Sequence, residues 1–211
     1  MVCWDCFSRL PVIEANRPHC VRCGKVPEGA IERDFLCNQC RMSPPAFDLA
    51  RFAVPFRFEM KELIHAFKYR NATWLAEDLA DLLEGCVTAH FDVGAVDWIM
   101  PVPLHPMKYA RRTYNQAEYL AKSLSRRTGR PCSCDLVKRI RQTPTQTHLG
   151  ARARRENVRG AFSVVRPELV RGRTILLVDD VMTTGATLSS IASSLKSAGA
   201  WRVWTATVAR G

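Results

Sequence analysis

The densest chemistry in this 211-residue chain lies in one run: Ile175-Leu176-Leu177-Val178-Asp179-Asp180-Val181-Met182-Thr183-Thr184-Gly185-Ala186-Thr187. Its opening apolar residues have the pattern of a strand buried on both faces. Two carboxylates follow at the strand's carboxyl end, the edge where open α/β sheets place their ligands. A small polar loop then opens a helix, whose unpaired N–H groups and dipole attract phosphate. Thr183, Thr184 and Thr187 add hydroxyl donors, and Gly185 lets the main chain approach a phosphate with no Cβ in the way. A surface acidic pair beside a capping threonine would not require all of these features together.

The second constellation is sulfur. Six of the nine cysteines fall in the first 40 residues. Cys20-x-x-Cys23 and Cys37-x-x-Cys40 are 13 residues apart, a spacing that suits tetrahedral Zn2+ held by four thiolates at about 2.3 Å. Four thiolates leave no open position for catalysis, so the role is structural, and a short segment with little core gains folding energy from the metal. Cys3-x-x-Cys6 is a third knuckle without a fourth. A rival pairing joins it to Cys20 and Cys23 and leaves Cys37 and Cys40 free. Cys86, Cys132 and Cys134 read as structural.

These residues need a scaffold. Hydrophobic residues make up 47% of the chain and charged residues 24%, enough for a packed core. Residues 1–45 are rich in Cys, Pro and turns, and Ser43-Pro44-Pro45 closes them, so a domain boundary is expected near residue 45, with a second domain over 46–211. Beyond it the patterning predicts a strand over 47–56, helices over 57–70 and 73–88, a strand over 97–104, a helix over 114–128, and a basic mobile loop over 138–160. A strand at 174–178, a helix over about 185–198 and a strand over 201–208 then form a βαβ unit with a parallel sheet. No apolar run reaches the roughly 20 residues of a membrane helix, and the N-terminus lacks a signal peptide's apolar core. A cytoplasmic protein without membrane insertion is therefore expected.

Charge is uneven. The formal net charge is +11, and between Lys108 and Arg173 there are 17 Lys and Arg against four acids. Such a surface attracts pyrophosphate, nucleotides or nucleic acid.

The 175–187 run resembles the phosphoribosyl-pyrophosphate (PRPP) signature of type I phosphoribosyltransferases across all 13 positions. Three further stretches extend the likeness: Phe67-Lys68-Tyr69-Arg70, the segment from Pro101 to Gln116, and the segment from Arg139 to Phe162. Together these look like the ComF family, whose members are linked to DNA uptake during natural competence. The resemblance runs from Cys3 to the C-terminus. It implies a type I phosphoribosyltransferase fold, a parallel sheet flanked by helices, preceded by a small zinc ribbon. It also implies that Asp179 and Asp180 hold the ribose hydroxyls of PRPP, while Thr183, Thr184, Gly185, Ala186 and Thr187 cradle its 5′-phosphate. Lys108, Arg111 and Arg112 would face the pyrophosphate and carry the catalytic charge stabilisation, with residues 139–157 as a closing loop. Mg2+ would accompany PRPP, and Zn2+ would sit on Cys20, Cys23, Cys37 and Cys40. Where this chain has Thr113, the family has Gly, a change that matters if the backbone there needs a positive φ.

Three functions remain in play on that resemblance. One is a pentosyl glycosyltransferase moving phosphoribose from PRPP to an acceptor. Another is a non-catalytic sensor of PRPP or a nucleotide. The last is an accessory whose zinc ribbon and basic face hold single-stranded DNA and a competence helicase, a reading that changing Arg152, Arg154 and Arg155 to Ala would test. A homodimer is left open.

Overall fold

The computed structural model describes residues 7–14, 16–27, 29, 31–141, 158 and 160–211; Lys108 and Arg111 are described in their main chain alone. The expected knuckle Cys3/Cys6 and the loop residues 142–157 lie outside the described residues.

The apolar run before Asp179 becomes the central strand of a four-stranded sheet. In chain order the elements are α1 (Asn38–Met42), β1 (Leu49–Pro55), α2 (Phe58–Tyr69), α3 (Leu75–His90), β2 (Trp98–Pro101), α4 (Pro106–Arg112), α5 (Gln116–Thr128), β3 (Val137–Arg139), β4 (Phe162–Val164), β5 (Thr174–Met182), α6 (Ala186–Ser197) and β6 (Arg202–Arg210). The sheet order is β1-β6-β5-β2 and every pairing is parallel. All four strands therefore deliver their carboxyl ends to one edge.

Alternation along β5 feeds both faces. Leu176 and Val178 join Leu79, Leu83, Leu120 and Val208 in a core under α2, α3 and α5. Ile175 and Leu177 join Ile191, Leu195, Val203 and Phe47 in a second core under α6. A sheet covered on both sides needs apolar residues at consecutive positions, which is the pattern β5 shows. No helix among the described residues is long and apolar enough to cross a membrane.

Local signals set the element ends. Asn115 caps α5, its Oδ1 accepting from Ala117 N at 3.1 Å, and Gly129 ends the helix at φ 68°. The strand expected over 97–104 stops at Pro101, because Pro103 and Pro106 remove donors and stiffen the chain. Four short elements were not foreseen: α1, α4, β3 and β4. α4 occupies part of what read as a stiff loop, with Pro106 at its start and His105 Nδ1 accepting from Met107 N at 3.3 Å. β3 and β4 pair antiparallel beside the sheet, Val137 opposite Val164.

Candidate functional site

The two carboxylates at the end of β5 face different surroundings because successive strand residues point to opposite sides. Asp180 is 2% exposed, and its Oδ2 lies 2.9 Å from Lys68 Nζ at the end of α2. Asp180 Oδ1 accepts from Val181 N at 2.7 Å, and Asp179 Oδ1 accepts from Asp180 N at 2.9 Å. Asp179 is half-buried. Burial, and then the charge of Asp180, push its carboxyl up to about 8, with Lys68 opposing. Burial alone would lower the Lys68 ammonium, but Asp180 and Asp179 hold it above its ordinary value.

Past Met182 the chain turns into α6 through Gly185, at φ 73°. A Cβ on Gly185 would meet Met182 Sδ at 3.4 Å and the Phe47 ring at 3.5 Å, so dihedral and space both favour glycine. Thr184 Oγ1 accepts from Ala186 N at 3.4 Å. Thr183 is exposed, while Thr184 and Thr187 are half-buried. Residues 183–185 thus lead into a twelve-residue helix that begins at Ala186 and whose N-terminal N–H groups suit an anion.

Aromatic and cationic groups also come from α2, α4 and β3. The Arg112 guanidinium sits 4.7 Å from the centre of the Tyr69 ring. Tyr114 Oη donates to Phe67 O, and Asn115 Nδ2 donates to Val102 O at 3.0 Å, tying the start of α5 to α2 and β2. Burial lowers the pKa of Arg139, and the nearby Asp179 opposes this. Its guanidinium lies 5.5 Å from the Phe162 ring. Lys108 and Arg111 are placed in α4 by their main chain.

The structure therefore gathers Asp179, Asp180 and the 183–187 loop at one strand end, with Arg112 on the α4 side. Lys68 was known in the sequence only as a member of a short motif. A signal for it exists: Met60, Ile64 and Phe67 form the buried stripe of α2, and Lys68 continues that stripe four residues after Ile64. A lysine on an apolar stripe calls for a buried counter-charge.

The sulfur cluster lies behind the same loop. Cys20, Cys23, Cys37 and Cys40 are buried, with Sγ atoms within 4.8 Å of one another and Cys23 to Cys37 at 3.7 Å. Four thiolates around Zn2+ at about 2.3 Å lie about 3.8 Å apart in a tetrahedron, so the arrangement fits the ion. Burial raises Cys20, but N–H groups of Cys23, Cys37 and Arg22 outweigh it and bring the thiol to about 7, whereas burial pushes Cys23 and Cys40 up. The knuckles rest on the phosphate-type loop: Gln39 Nε2 donates to Thr184 O at 3.2 Å, Ala46 N donates to Ser189 Oγ at 3.0 Å, and Arg210 Nη1 donates to Cys23 O. Gly24, at φ 71°, is fixed here too, since a Cβ would lie 2.8 Å from Ala50 O.

Residues 115–211 match the model of the phosphoribosyl transferase domain family. The chain is 34% identical to "Competence protein F" of Haemophilus influenzae, over 86% of this chain and 80% of that protein. It is 31% identical to "DNA utilization protein YhgH" of Escherichia coli, over 96% of this chain and 95% of that one. This chain belongs to the ComF family. The fold is the parallel α/β architecture of phosphoribosyltransferases, preceded by a cysteine cluster compatible with a zinc ribbon. Among solved structures, the glutamine PRPP amidotransferase of B. subtilis aligns with a TM-score of 0.42 at 22% identity, covering 63% of this chain. The chain spans about 26% of that enzyme, and about 33% of the PRPP synthetase of Mycobacterium smegmatis, which aligns with a TM-score of 0.38.

One departure from the ComF pattern has a visible consequence. Thr113 ends α4 at φ 64°, the left-handed region that favours glycine. Its N–H closes the helix on Tyr109 O at 2.7 Å, and its Oγ1 donates to Arg112 O at 2.6 Å. Those bonds offset part of the backbone cost beside Arg112.

Proposed function

We propose that this ComF protein binds PRPP with Mg2+ at the carboxyl end of β5 and transfers phosphoribose to an acceptor, releasing pyrophosphate, in the service of DNA utilization. The observation that carries this reading is the Asp179–Asp180 pair, with Asp180 buried against Lys68, followed at once by a glycine-opened helix N-terminus.

On this reading Asp179 and Asp180 accept from the ribose hydroxyls, and the ion pair with Lys68 holds the Asp180 carboxylate in place for that purpose. The main-chain N–H groups of 184–187, with the hydroxyls of Thr183, Thr184 and Thr187, hold the 5′-phosphate. Lys108, Arg111 and Arg112 face the pyrophosphate as it departs, so that catalysis is positioning plus charge stabilisation. Mg2+, when bound, neutralises charge growing on the pyrophosphate. Zn2+ on the four cysteines braces the ribbon against the loop. Residues 1–45 act on this view as a separate unit ahead of 46–211.

Calorimetric titration of PRPP, with and without Mg2+, tests the reading on the wild type and on Asp179→Asn/Asp180→Asn. Mg2+-dependent binding that the double variant loses is the expected result. A folded, zinc-loaded wild type that binds no PRPP overturns it.

A further inference from the structure

Cys132 and Cys134 stand apart from the sulfur cluster, and the site at the end of β5 uses neither. In sequence they read as structural, but a structural thiol is buried and inert. Cys86 fits that description: it is buried, and burial pushes its thiol up to about 12. Cys132 is only half-buried and Cys134 is exposed.

The backbone fixes one of the pair and leaves the other at a bend. Beyond α5 the chain returns along the open side of β2. Ile99 N donates to Pro131 O at 2.9 Å, and Ser133 N donates to Ile99 O at 3.0 Å, so Cys132 is held between two sheet hydrogen bonds. Its side chain packs against the core under α2, α3 and α5. The chain then bends at Cys134, where Ser133 Oγ donates to Asp135 Oδ1 at 2.7 Å. Residues two apart are separated by at most about 7 Å between Cα atoms, the upper edge of disulfide reach. Here the thiols already converge. The hydrogen bond between them is the largest influence on both, and it lowers Cys134 while raising Cys132. Lys122 on α5 lowers both thiols, and Glu118, 3.7 Å from it, raises both. Asp135 raises Cys134 but pairs with Arg166 Nη2 at 2.9 Å. Among the described residues no third ligand joins the two in a metal cluster, so their chemistry is that of a dithiol.

We infer that Cys132 and Cys134 form a thiol–disulfide exchange site, which takes a low-molecular-weight disulfide and closes a reversible Cys132–Cys134 bond. Cys134 Sγ, as the thiolate, attacks one sulfur of the incoming disulfide. That S–S bond breaks, and the first thiolate leaves and takes a proton from water. Cys132 then releases its proton to solvent, which is easier once the neighbouring Cys134 charge is gone and Lys122 remains. Its sulfur attacks Cys134 Sγ, the mixed bond breaks, and the second thiolate leaves. The two protein thiols lose two electrons and two protons, and the small disulfide becomes two thiols. An exposed bond closing so short a loop adds little restraint, so it is of the exchangeable kind. The site is independent of PRPP binding.

The test exposes the zinc-loaded full chain to glutathione disulfide, blocks remaining thiols with N-ethylmaleimide, and reads tryptic peptide 128–138 by mass spectrometry. That peptide holds Cys132 and Cys134 and no other cysteine. In the wild type it is expected to become lighter by two hydrogens and to escape alkylation, and a reductant is expected to reverse both changes. Cys132→Ser is expected to stop with one glutathione on Cys134. Cys134→Ser is expected to react at least about tenfold more slowly, since the exposed attacking thiolate is gone. Should Cys132→Ser unfold, the wild type sampled at short times is expected to carry its first glutathione on Cys134, as located by fragmentation. A folded wild type whose peptide stays doubly alkylated overturns the inference. So does a first glutathione on Cys132, a Cys134→Ser variant that reacts as fast as the wild type, or a bond that links this peptide to a second chain.

Discussion

Two adjacent carboxylates at the end of a buried strand are tolerated here because Lys68 stands beside one of them. Removing that ammonium leaves Asp180, 2% exposed, as an uncompensated buried charge. Lys68→Met is therefore expected to lower unfolding free energy by about 3 kcal/mol in urea titration. Lys68→Met/Asp180→Asn is expected to recover most of that loss, since the charge needing a partner is gone. If the double variant is as unstable as the single one, Lys68 matters through packing and not through Asp180. Asp179 and Asp180 were legible from their place after an apolar run. Lys68 was not assigned, because its partner lies more than a hundred residues away and only the packing of α2 against β5 joins them.

At the scale of elements, the β5–loop–α6–β6 unit follows its patterning closely. Its strands begin on apolar positions but run past the expected ends, β5 through Asp179 and Asp180 to Met182 and β6 to Arg210, and its helix is bounded by Gly185 and Gly199, both at positive φ. The pieces that escaped notice are short. β3 and β4 have three residues each and pair across more than twenty intervening positions, too little for a period-two pattern to emerge. α4 has seven residues and holds only because Pro106 and His105 start it and Thr113 closes it. Thr113 pays for its left-handed conformation, so Thr113→Gly is expected to raise stability by about 1 kcal/mol in thermal or urea unfolding. A loss of stability would mean that the Oγ1 hydrogen bond to Arg112 O outweighs the backbone strain.

At the scale of the molecule, the ribbon and the loop behave as one support. The cysteine knuckles reach the loop through Gln39 and Thr184, and the linker reaches α6 through Ala46 and Ser189. Chelation of Zn2+ is expected to expose residues 1–45 to limited proteolysis. PRPP affinity should then fall about fivefold by calorimetry, roughly one hydrogen bond's contribution. Gln39→Ala with the metal in place is expected to give a similar fall without the proteolytic sensitivity. Unchanged PRPP affinity in both cases would separate the ribbon from the loop.

The sequence by itself determined the βαβ unit, the acidic pair, the glycine-opened loop and the four-cysteine spacing. Each is written in consecutive or closely spaced residues, where local geometry and side-chain chemistry suffice. It left two pairings of the cysteine knuckles open, and the structure brings Cys20 and Cys23 together with Cys37 and Cys40. Only the tertiary structure put Lys68 on Asp180, Arg112 over Tyr69, and the ribbon behind Thr184. Those contacts join segments distant along the chain, brought together by burying both faces of a parallel sheet and by closing four thiols into one cluster.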